Sequence, residues 1–531
     1  MPPMIRTEIN IPIQYSKEDI IDRVISRLPI GKEEIRDIRI VRRSLNLTDK
    51  GNIHYKMTVA LSLDEERERG LLNMRKKVRP HPDMTFTVPK SRLAARPVVI
   101  GAGPAGLFCA LVLAEAGARP ILYERGLSLD ERDERVKLFT TLGILDPECN
   151  VQFGEGGAGA YSDGKLKSGS PDKYKLKVLT EFVSHGAPED IIYSTGAHVG
   201  TDRLTGVVRD IREKIISLGG EVHFSSRLTD IKLFDGKVVG GRVEKFGKSE
   251  DFETDTLILA TGHSARDVFE LLKRLGAPLE PRGFGIGVRV EHPREYVNRM
   301  VYGDNPPEGL GAASYHLVTH LSDGRSVYSF CMCPGGTIVA AAGERGGIVT
   351  NGMSEYSRSA DNSNAAILVS VTPQDFPSDD PLAGIELQRS IERRAFALTS
   401  GTYMAPTQKM ADLLHNREGE APTSITPSYP LGTVNMSADR YLPSYVTDSL
   451  RSAIADFDEW MPGFYHPDAP MTGPETRTTS PVRTLRTDTF ETVGIKGLYP
   501  IGEGAGYAGG IVSSARDGVM CAESILLEAL R

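Results

Sequence analysis

The chain has 531 residues and a net charge of −7, with 40% hydrophobic and 25% charged residues; this is a globular composition, long enough for two to four domains with proper cores. No stretch approaches the roughly 18 apolar residues of a membrane span, and the N-terminus (MPPMIRTEIN) lacks a basic segment followed by an apolar run. Five cysteines, an odd number without disulfide-framework spacing, fit a reducing compartment, so a cytoplasmic protein is expected.

The charge is unevenly placed. Residues 1–96 carry 20 Lys and Arg against 13 Asp and Glu, which leaves the remainder near −14. Such a split marks either a docking or nucleic-acid face, or two oppositely charged domains packed together.

Residues 4–13 alternate like a strand, and Ser16–Leu28 reads as a helix capped at Ser16 or a neighbour. Strands are expected over Ile35–Asn46 and Asn52–Leu63, joined at Thr48–Gly51, then a charged helix over Asp64–Lys77 and a last strand near Met84–Val88. Residues 1–90 thus predict a small basic α+β module of ferredoxin-like βαββαβ order. Its basic hairpin (Arg36, Arg39, Arg42, Arg43) invites an RNA reading, but the aromatic stacking positions of an RNA-recognition sheet are missing. Pro89–Arg96 is the expected linker.

The next stretch, Arg96–Gly126, organises the chain. A short apolar strand (Val98–Ile100) runs into Gly101-Ala-Gly103-Pro-Ala-Gly106, an apolar helix follows, and a second strand ends at Glu124: a dinucleotide-binding βαβ unit. Gly101 permits the tight turn, Gly103 lets a pyrophosphate approach bare backbone, and Gly106 lets helix and strand pack closely. Pro104 suits the first helical turn, Ala105 follows it, and the free N–H groups there face the anion. Glu124, 18 residues past Gly106, is placed to hydrogen-bond a ribose diol and repels a 2′-phosphate, so FAD or NAD is expected rather than NADP.

Leu127–Leu142 reads as a helix carrying Arg132 and Arg135. The loop Asn150–Leu166 (NVQFGEGGAGAYSDGKL) packs five glycines into the eleven residues from Gly154 to Gly164, which is costly unless backbone must approach something closely; it reads as a second clamp on the cofactor. A meander (Glu221–Phe224, Leu228–Phe234, Val238–Lys245) leads to the buried strand Thr256–Gly262, which closes on Ala260-Thr261-Gly262. Ser264–Asp267 reads as a capping box for the helix Ala265–Leu275. From residue 281 to about 486 the pattern loosens into strands (Gly285–Val290, Val327–Met332, Thr337–Ala342, Ile367–Val371) and a helix (Leu382–Thr399), an inserted α+β substrate domain. Gly497–Ile511 then repeats strand, acid and glycines (IGEGAG), and a helix runs to Leu530.

Three ordered elements therefore stand together: GxGxxG with Glu124, the ATG turn, and the C-terminal IGEGAG. Their order resembles the glutathione-reductase-like FAD-binding flavoproteins, among them aromatic hydroxylases and geranylgeranyl reductases. VQFGEGGAGAYSDGKL, GFGIGVRVEHP, FCMCPGG and GEGAGYAGGI resemble a bacterial FAD-dependent dehydrogenase family over residues 95–531. The resemblance implies an α/β fold: a three-layer, Rossmann-like FAD-binding domain (95–280 and 487–531) with a substrate or cap domain at 281–486. It implies that Gly101–Gly106 hold the pyrophosphate, Glu124 the adenosine ribose with Arg125 beside it, and Leu228 the adenine. Arg135, Gly156, Gly157, Ala158, Ala260, Thr261 and Gly262 are further expected cofactor contacts. Gly502 and Glu503 would lie near the ribitol or pyrophosphate, where Asp is usual. The N–H groups of Gly509, Gly510, Ile511 and Val512 would face the flavin N1/O2 edge.

An FAD-dependent oxidoreductase acting on a small molecule is the leading expectation; since no second GxGxxG supplies a nicotinamide domain, its electrons come from transient contact with NADH or NADPH, from a partner protein or from the substrate itself. A prenyl-like reductase, an RNA-directed flavoprotein and a binding scaffold are the alternatives. No Cys-x-x-Cys pair is present. Cys331 and Cys333 would share one face of a strand, and no complete metal-ligand set is evident. Cys109 reads as core. Lys165, Arg477 and Arg483 are the candidate catalytic residues, Arg477 and Arg483 as holders of an anion or polarisers of a carbonyl. His263, His292 and His316 are further acid–base candidates, and the oligomeric state is not legible.

Overall fold

The computed structural model describes residues 4–73, 77–166 and 172–531. Its N-terminal part contains β1 (Met4–Ile11), α1 (Lys17–Arg27), β2 (Asp37–Asn46), β3 (His54–Ser62), α2 (Glu65–Leu72) and β4 (Arg79–His81), with sheet order β2-β3-β1-β4. Ser16 caps α1 in a reciprocal capping box with Asp19, so two backbone donors find acceptors. Ile20 and Val24 of α1 pack on Ile5, Ile9, Met57 and Val59 of the sheet. The expected strand at Met84–Val88 is absent: the last strand lies at Arg79–His81, paired with Met4–Arg6, and residues 82–97 carry no helix or strand. The charged helix ends at Leu72; the rest of its expected span partly falls at 74–76, outside the described residues. The edge of β2 seats on residues 190–195, where Arg43 donates to Asp190 (2.9 Å) and Ser194 (2.7 Å).

A five-stranded, all-parallel sheet carries the nucleotide motif. Its strands are β5 (Val98–Ile100), β6 (Ile121–Tyr123), β7 (Glu221–His223), β11 (Leu257–Leu259) and β23 (Leu498–Pro500), in the order β23-β11-β5-β6-β7. The first strand expected in the meander, β7, belongs here. The antiparallel layer is instead β8 (Ser226–Phe234), β9 (Lys237–Lys245) and β10 (Lys248–Glu253). Alternation along the short strands separates two cores: Val99 and Ile258 face α3 (Pro104–Glu115), α6 (Thr201–Ser217) and α12 (Ile511–Glu528), while Val98, Ile100, Leu257 and Leu259 face β8 and α7 (Arg266–Arg274). The result is helices, parallel sheet and antiparallel layer stacked in that order.

Helix α3 is buried from Ala105 to Ala114, so it is apolar all round, as a fully interior helix must be. Cys109 is part of this core. Two glycines set the approach. A Cβ on Gly106 would lie 1.9 Å from the Gly101 carbonyl oxygen, and one on Gly518 of α12 would lie 2.1 Å from that of Ala105. Helices α4 (Leu129–Leu142) and α5 (Lys173–Ser184) complete this part.

The remainder is built on a seven-stranded sheet of order β14-β15-β18-β13-β21-β19-β20. Its strands are β13 (Phe284–Pro293), β14 (Val318–His320), β15 (Ser326–Cys333), β18 (Asn362–Val371), β19 (Ala405–Lys409), β20 (Thr433–Asn435) and β21 (Pro470–Glu475). Two two-stranded ribbons flank it, β12 (Leu279–Pro281) with β22 (Val482–Thr484), and β16 (Thr337–Ala340) with β17 (Thr350–Met353). Helices α8 (Arg294–Tyr302), α9 (Ala383–Leu398), α10 (Met410–Leu414) and α11 (Ser444–Trp460) cover the sheet. The 17-residue α11, unforeseen from the sequence, buries Val446, Leu450, Ile454 and Phe457 at helical spacing. Among the described residues no helix is long and apolar enough to cross a membrane.

Candidate functional site

The C-terminal ends of β5, β6, β11 and β23 open into one groove of about 1540 Å³ of atom-free space, its mouth included. Ligands of open parallel sheets lie at this edge. Gly101, Gly103, Pro104 and Ala105 line it together with Glu124, Arg125 and Leu228; so do Gly157, Ala158, Ala260, Thr261, Gly262, Glu503, Gly509, Gly510 and Ile511. Segments far apart in sequence thus converge on one cavity.

Local chemistry explains the convergence. Gly103 is the N-cap of α3 and Gly510 that of α12; neither has a side-chain cap, so the first-turn N–H groups are left for a ligand. A Cβ on Gly262 or Gly509 would meet nothing within 4 Å, which leaves bare backbone facing open space. The glycine-rich loop closes over the first motif: Gly156 N donates to Ala102 O (2.8 Å), and a Cβ on Gly157 would lie 3.1 Å from the Gly103 Cα. Arg132, wholly buried, donates to the carbonyls of Asn150 and Val151 at 3.0 and 3.1 Å and to that of Glu155, holding the loop in place.

Glu124 accepts N–H bonds from Ala102 (2.7 Å), Gly126 (2.9 Å) and Gly154 (3.0 Å). Three of the about four lone-pair sites of the carboxylate are therefore occupied, and it ties the two glycine loops together as well as lining the groove. Arg125 lies over the Phe153 ring (4.4 Å) and pairs with Asp267 at 2.7 Å. This corrects the expected capping box: α7 has Ala265 as N-cap without a side-chain bond, Asp267 holds Arg125, and Ser264 donates to Gln152 (3.1 Å).

Other expected contacts lie elsewhere. Arg135 is half exposed on α4, 3.9 Å from Asp146, and does not line the groove. Gly106, Gly156, Gly502 and Val512 stand behind the lining and shape it. Arg483 lies over the Tyr507 ring (5.2 Å), outside the lining. His316 is exposed and His292 is buried with Nε2 on the Phe464 carbonyl (2.9 Å); neither lines the groove. His263 does, with Nδ1 3.5 Å from Glu503.

The opposite wall consists of side chains from the seven-stranded sheet, its ribbons, the segment after β21 and the 150–166 loop. Lys165 lines it, 3.5 Å from the buried Asp163. Arg289 is fully buried and pairs with Glu475 through two 2.7 Å bonds. Burial opposes the guanidinium charge, but Glu475 outweighs burial and raises the Arg289 pKa. Arg477 is also buried rather than a surface residue: it makes two bonds of 3.0 and 2.9 Å to Glu392, which also receives Arg266 at 3.0 Å. Burial alone would push the Glu392 carboxyl up, yet Arg266 and Arg477 together hold it at about 2. Glu475, Asn351, Gln152 and Cys331 also line the groove. Gln152 stood inside a string singled out in the sequence, whereas Asn351 carried no local signal. Among the described residues no cluster suits a metal ion.

The donor set fits FAD: two uncapped helix starts and bare glycine backbone for the pyrophosphate and flavin edges, and a carboxylate for a ribose. Residues 95–276 match the pyridine nucleotide-disulphide oxidoreductase model, and residues 283–478 match the model described as FAD-dependent protein, C-terminal domain-like. An uncharacterised protein of Clostridium beijerinckii is 43% identical over 535 residues, covering 98% of this chain and 97% of its own. Among solved structures, a flavoprotein/dehydrogenase from Cytophaga hutchinsonii is 13% identical (TM-score 0.35, covering 82% of this chain and 77% of that one). E. coli quinol fumarate reductase is 14% identical (TM-score 0.37, 82% and 70%). Likeness this weak says nothing of substrate. The family models and the near-full-length relative do place the protein: the chain belongs to a family of FAD-dependent oxidoreductases.

Proposed function

We propose that FAD lies along the groove with its pyrophosphate over Gly101–Gly106, its adenosine ribose at Glu124, its adenine at Leu228 and its flavin N1/O2 edge at the start of α12. Residues 95–280 and 487–531 then form the FAD-binding body, residues 281–486 the cap over the substrate, and residues 1–90 an appended module. Bound FAD supplies hydride exchange at flavin N5. The observation that carries the reading is that the motifs of residues 101–106, 124, 154–159, 260–262 and 501–511 all reach one cavity.

The chain's own groups divide the work. The uncapped starts of α3 and α12 favour negative charge. The chamber facing them is lined by Asp163, Lys165, Asn351, Glu475 and Arg477, which suits a small polar substrate with a carbonyl or carboxylate for Lys165 or Arg477 to orient. The RNA reading loses Arg43, which is engaged with Tyr15, Asp190 and Ser194.

The test is anaerobic stopped-flow absorbance of the FAD-loaded protein mixed with NADH and, separately, NADPH. Rapid bleaching by either establishes a nicotinamide-fed reductase. Protein that photoreduces normally yet is bleached by neither is fed by its substrate or by a protein donor, and NAD(P)H is then dropped.

A further inference from the structure

Two cysteines two positions apart on a regular strand present their sulfurs to one face, but β15 is not regular at this pair. The ladder between β15 and β18 shifts register between Phe330 and Cys333, and Cys331 adopts φ +39°, a left-handed conformation rare for a side-chain-bearing residue. Both residues line the groove, but Cys333 is buried, its Sγ donating to the Cys331 carbonyl at 3.3 Å, whereas Cys331 is exposed. The other four cysteines are all buried. Arg289 reaches the bulge from β13, donating to the Cys331 carbonyl at 3.0 Å.

A second observation points to a ligand in the same chamber. Arg477 lines the groove with 6% exposure, and its Nη1 has no hydrogen-bond partner among the described residues. A buried cationic N–H without an acceptor is costly, and a carbonyl or carboxylate oxygen entering the chamber would satisfy it.

Resting on the FAD reading above, we propose that Cys331 is a proton-holding thiol that faces the flavin and its substrate. Burial pushes the thiol up from its ordinary value; Arg289 and Lys165 pull it down, and Glu475 and Glu503 push it further up. The net rise keeps it protonated at neutral pH, which suits proton delivery better than nucleophilic attack. The matching substrate class is an electron-poor carbon–carbon double bond conjugated to a carbonyl. One carbon receives the hydride from reduced flavin. At its neighbour the S–H bond of Cys331 breaks as a C–H bond forms, and the thiolate then regains a proton from water. A reduced nicotinamide nucleotide, or an equivalent two-electron donor, restores the reduced flavin.

The experiment uses the FAD-loaded full chain and Cys331→Ser. Released flavin is measured first, so that a chain without FAD fails the cofactor reading itself and the thiol proposal with it. Both proteins are then titrated with alkali and scanned for a long-wavelength charge-transfer band, which needs a thiolate in contact with the isoalloxazine. Wild type is expected to gain the band with a midpoint above the ordinary thiol value of 9.0, and iodoacetamide to remove it while alkylating Cys331 alone, by peptide mapping. C331S is expected to show no band. A band that persists in C331S, or no band in FAD-loaded wild type whether or not Cys331 alkylates, overturns the proposal.

Discussion

Along the parallel-sheet wall the groove presents backbone, and along the opposite wall it presents charged side chains. The first wall depends on bare glycine, two uncapped helix starts and one carboxylate held by three amides. The second depends on Arg289–Glu475 and Arg266–Glu392–Arg477, buried pairs whose members come from β13, β21, α7, α9 and the segment after β21. A backbone wall tolerates side-chain change as long as the chain can still approach closely. A wall of buried charges fails when one partner is removed, because the other is left uncompensated in low dielectric.

The sharpest way to break the contrast is Arg289→Met. It leaves Glu475, 3% exposed, without its partner, and we expect a loss of about 3–5 kcal/mol in denaturant unfolding. Recovery of most of that loss in Arg289→Met/Glu475→Met would assign the cost to the orphaned charge; no recovery would assign it to the bonds that Arg289 donates to the Cys331 carbonyl and to the Asn351 and Asn364 side chains.

A pH series tests the same side of the molecule. Burial pushes the His292 imidazole down to about 4, with the Phe464 carbonyl pulling it up and His466 pushing it down. The folded state therefore binds fewer protons than the unfolded one. Its contribution is complete above the ordinary value of 6.5 and is lost as pH falls from about 6.5 toward 4, a decline of about 3 kcal/mol. Urea midpoints at pH 7 and 5 should separate in wild type and lie closer in His292→Phe; equal separation would place the acid sensitivity elsewhere.

On the backbone wall the expected effect is smaller. Glu124→Gln keeps side-chain size but loses charge and one acceptor, so a charge-assisted interaction worth about 1.5–3 kcal/mol is weakened. FAD affinity should fall about 10- to 100-fold while the far-UV spectrum is retained. Unchanged affinity would make Glu124 a tie between loops and nothing more.

Residues 101–106 and Glu124 were legible because their demands are local: a tight turn, a close approach and an acid at fixed spacing each name a residue type. The same logic located the 154–164 loop and the 502–511 turn. The capping box at Ser264–Asp267 misled because Ser, Asp and a helix start make that pattern cheaply, while Gln152 and Arg125, more than a hundred residues earlier, offered competing partners. The sequence showed no sign of the bulge between Phe330 and Cys333, which leaves Cys331 exposed and Cys333 buried although both line the groove. Helix α11 was overlooked because its apolar stripe sits among Pro-rich loops and declares itself only against β13, β14, β15 and β18.

The sequence by itself determined the nucleotide-binding unit and the kind of cofactor, since close backbone approach requires glycine at defined positions and a ribose requires an acid at the end of the next strand. Only the tertiary structure decided which charges are buried, which cysteine is exposed and that Arg477 is an interior residue. Those outcomes depend on strand register and on partners separated by tens to hundreds of positions, and no local pattern encodes them.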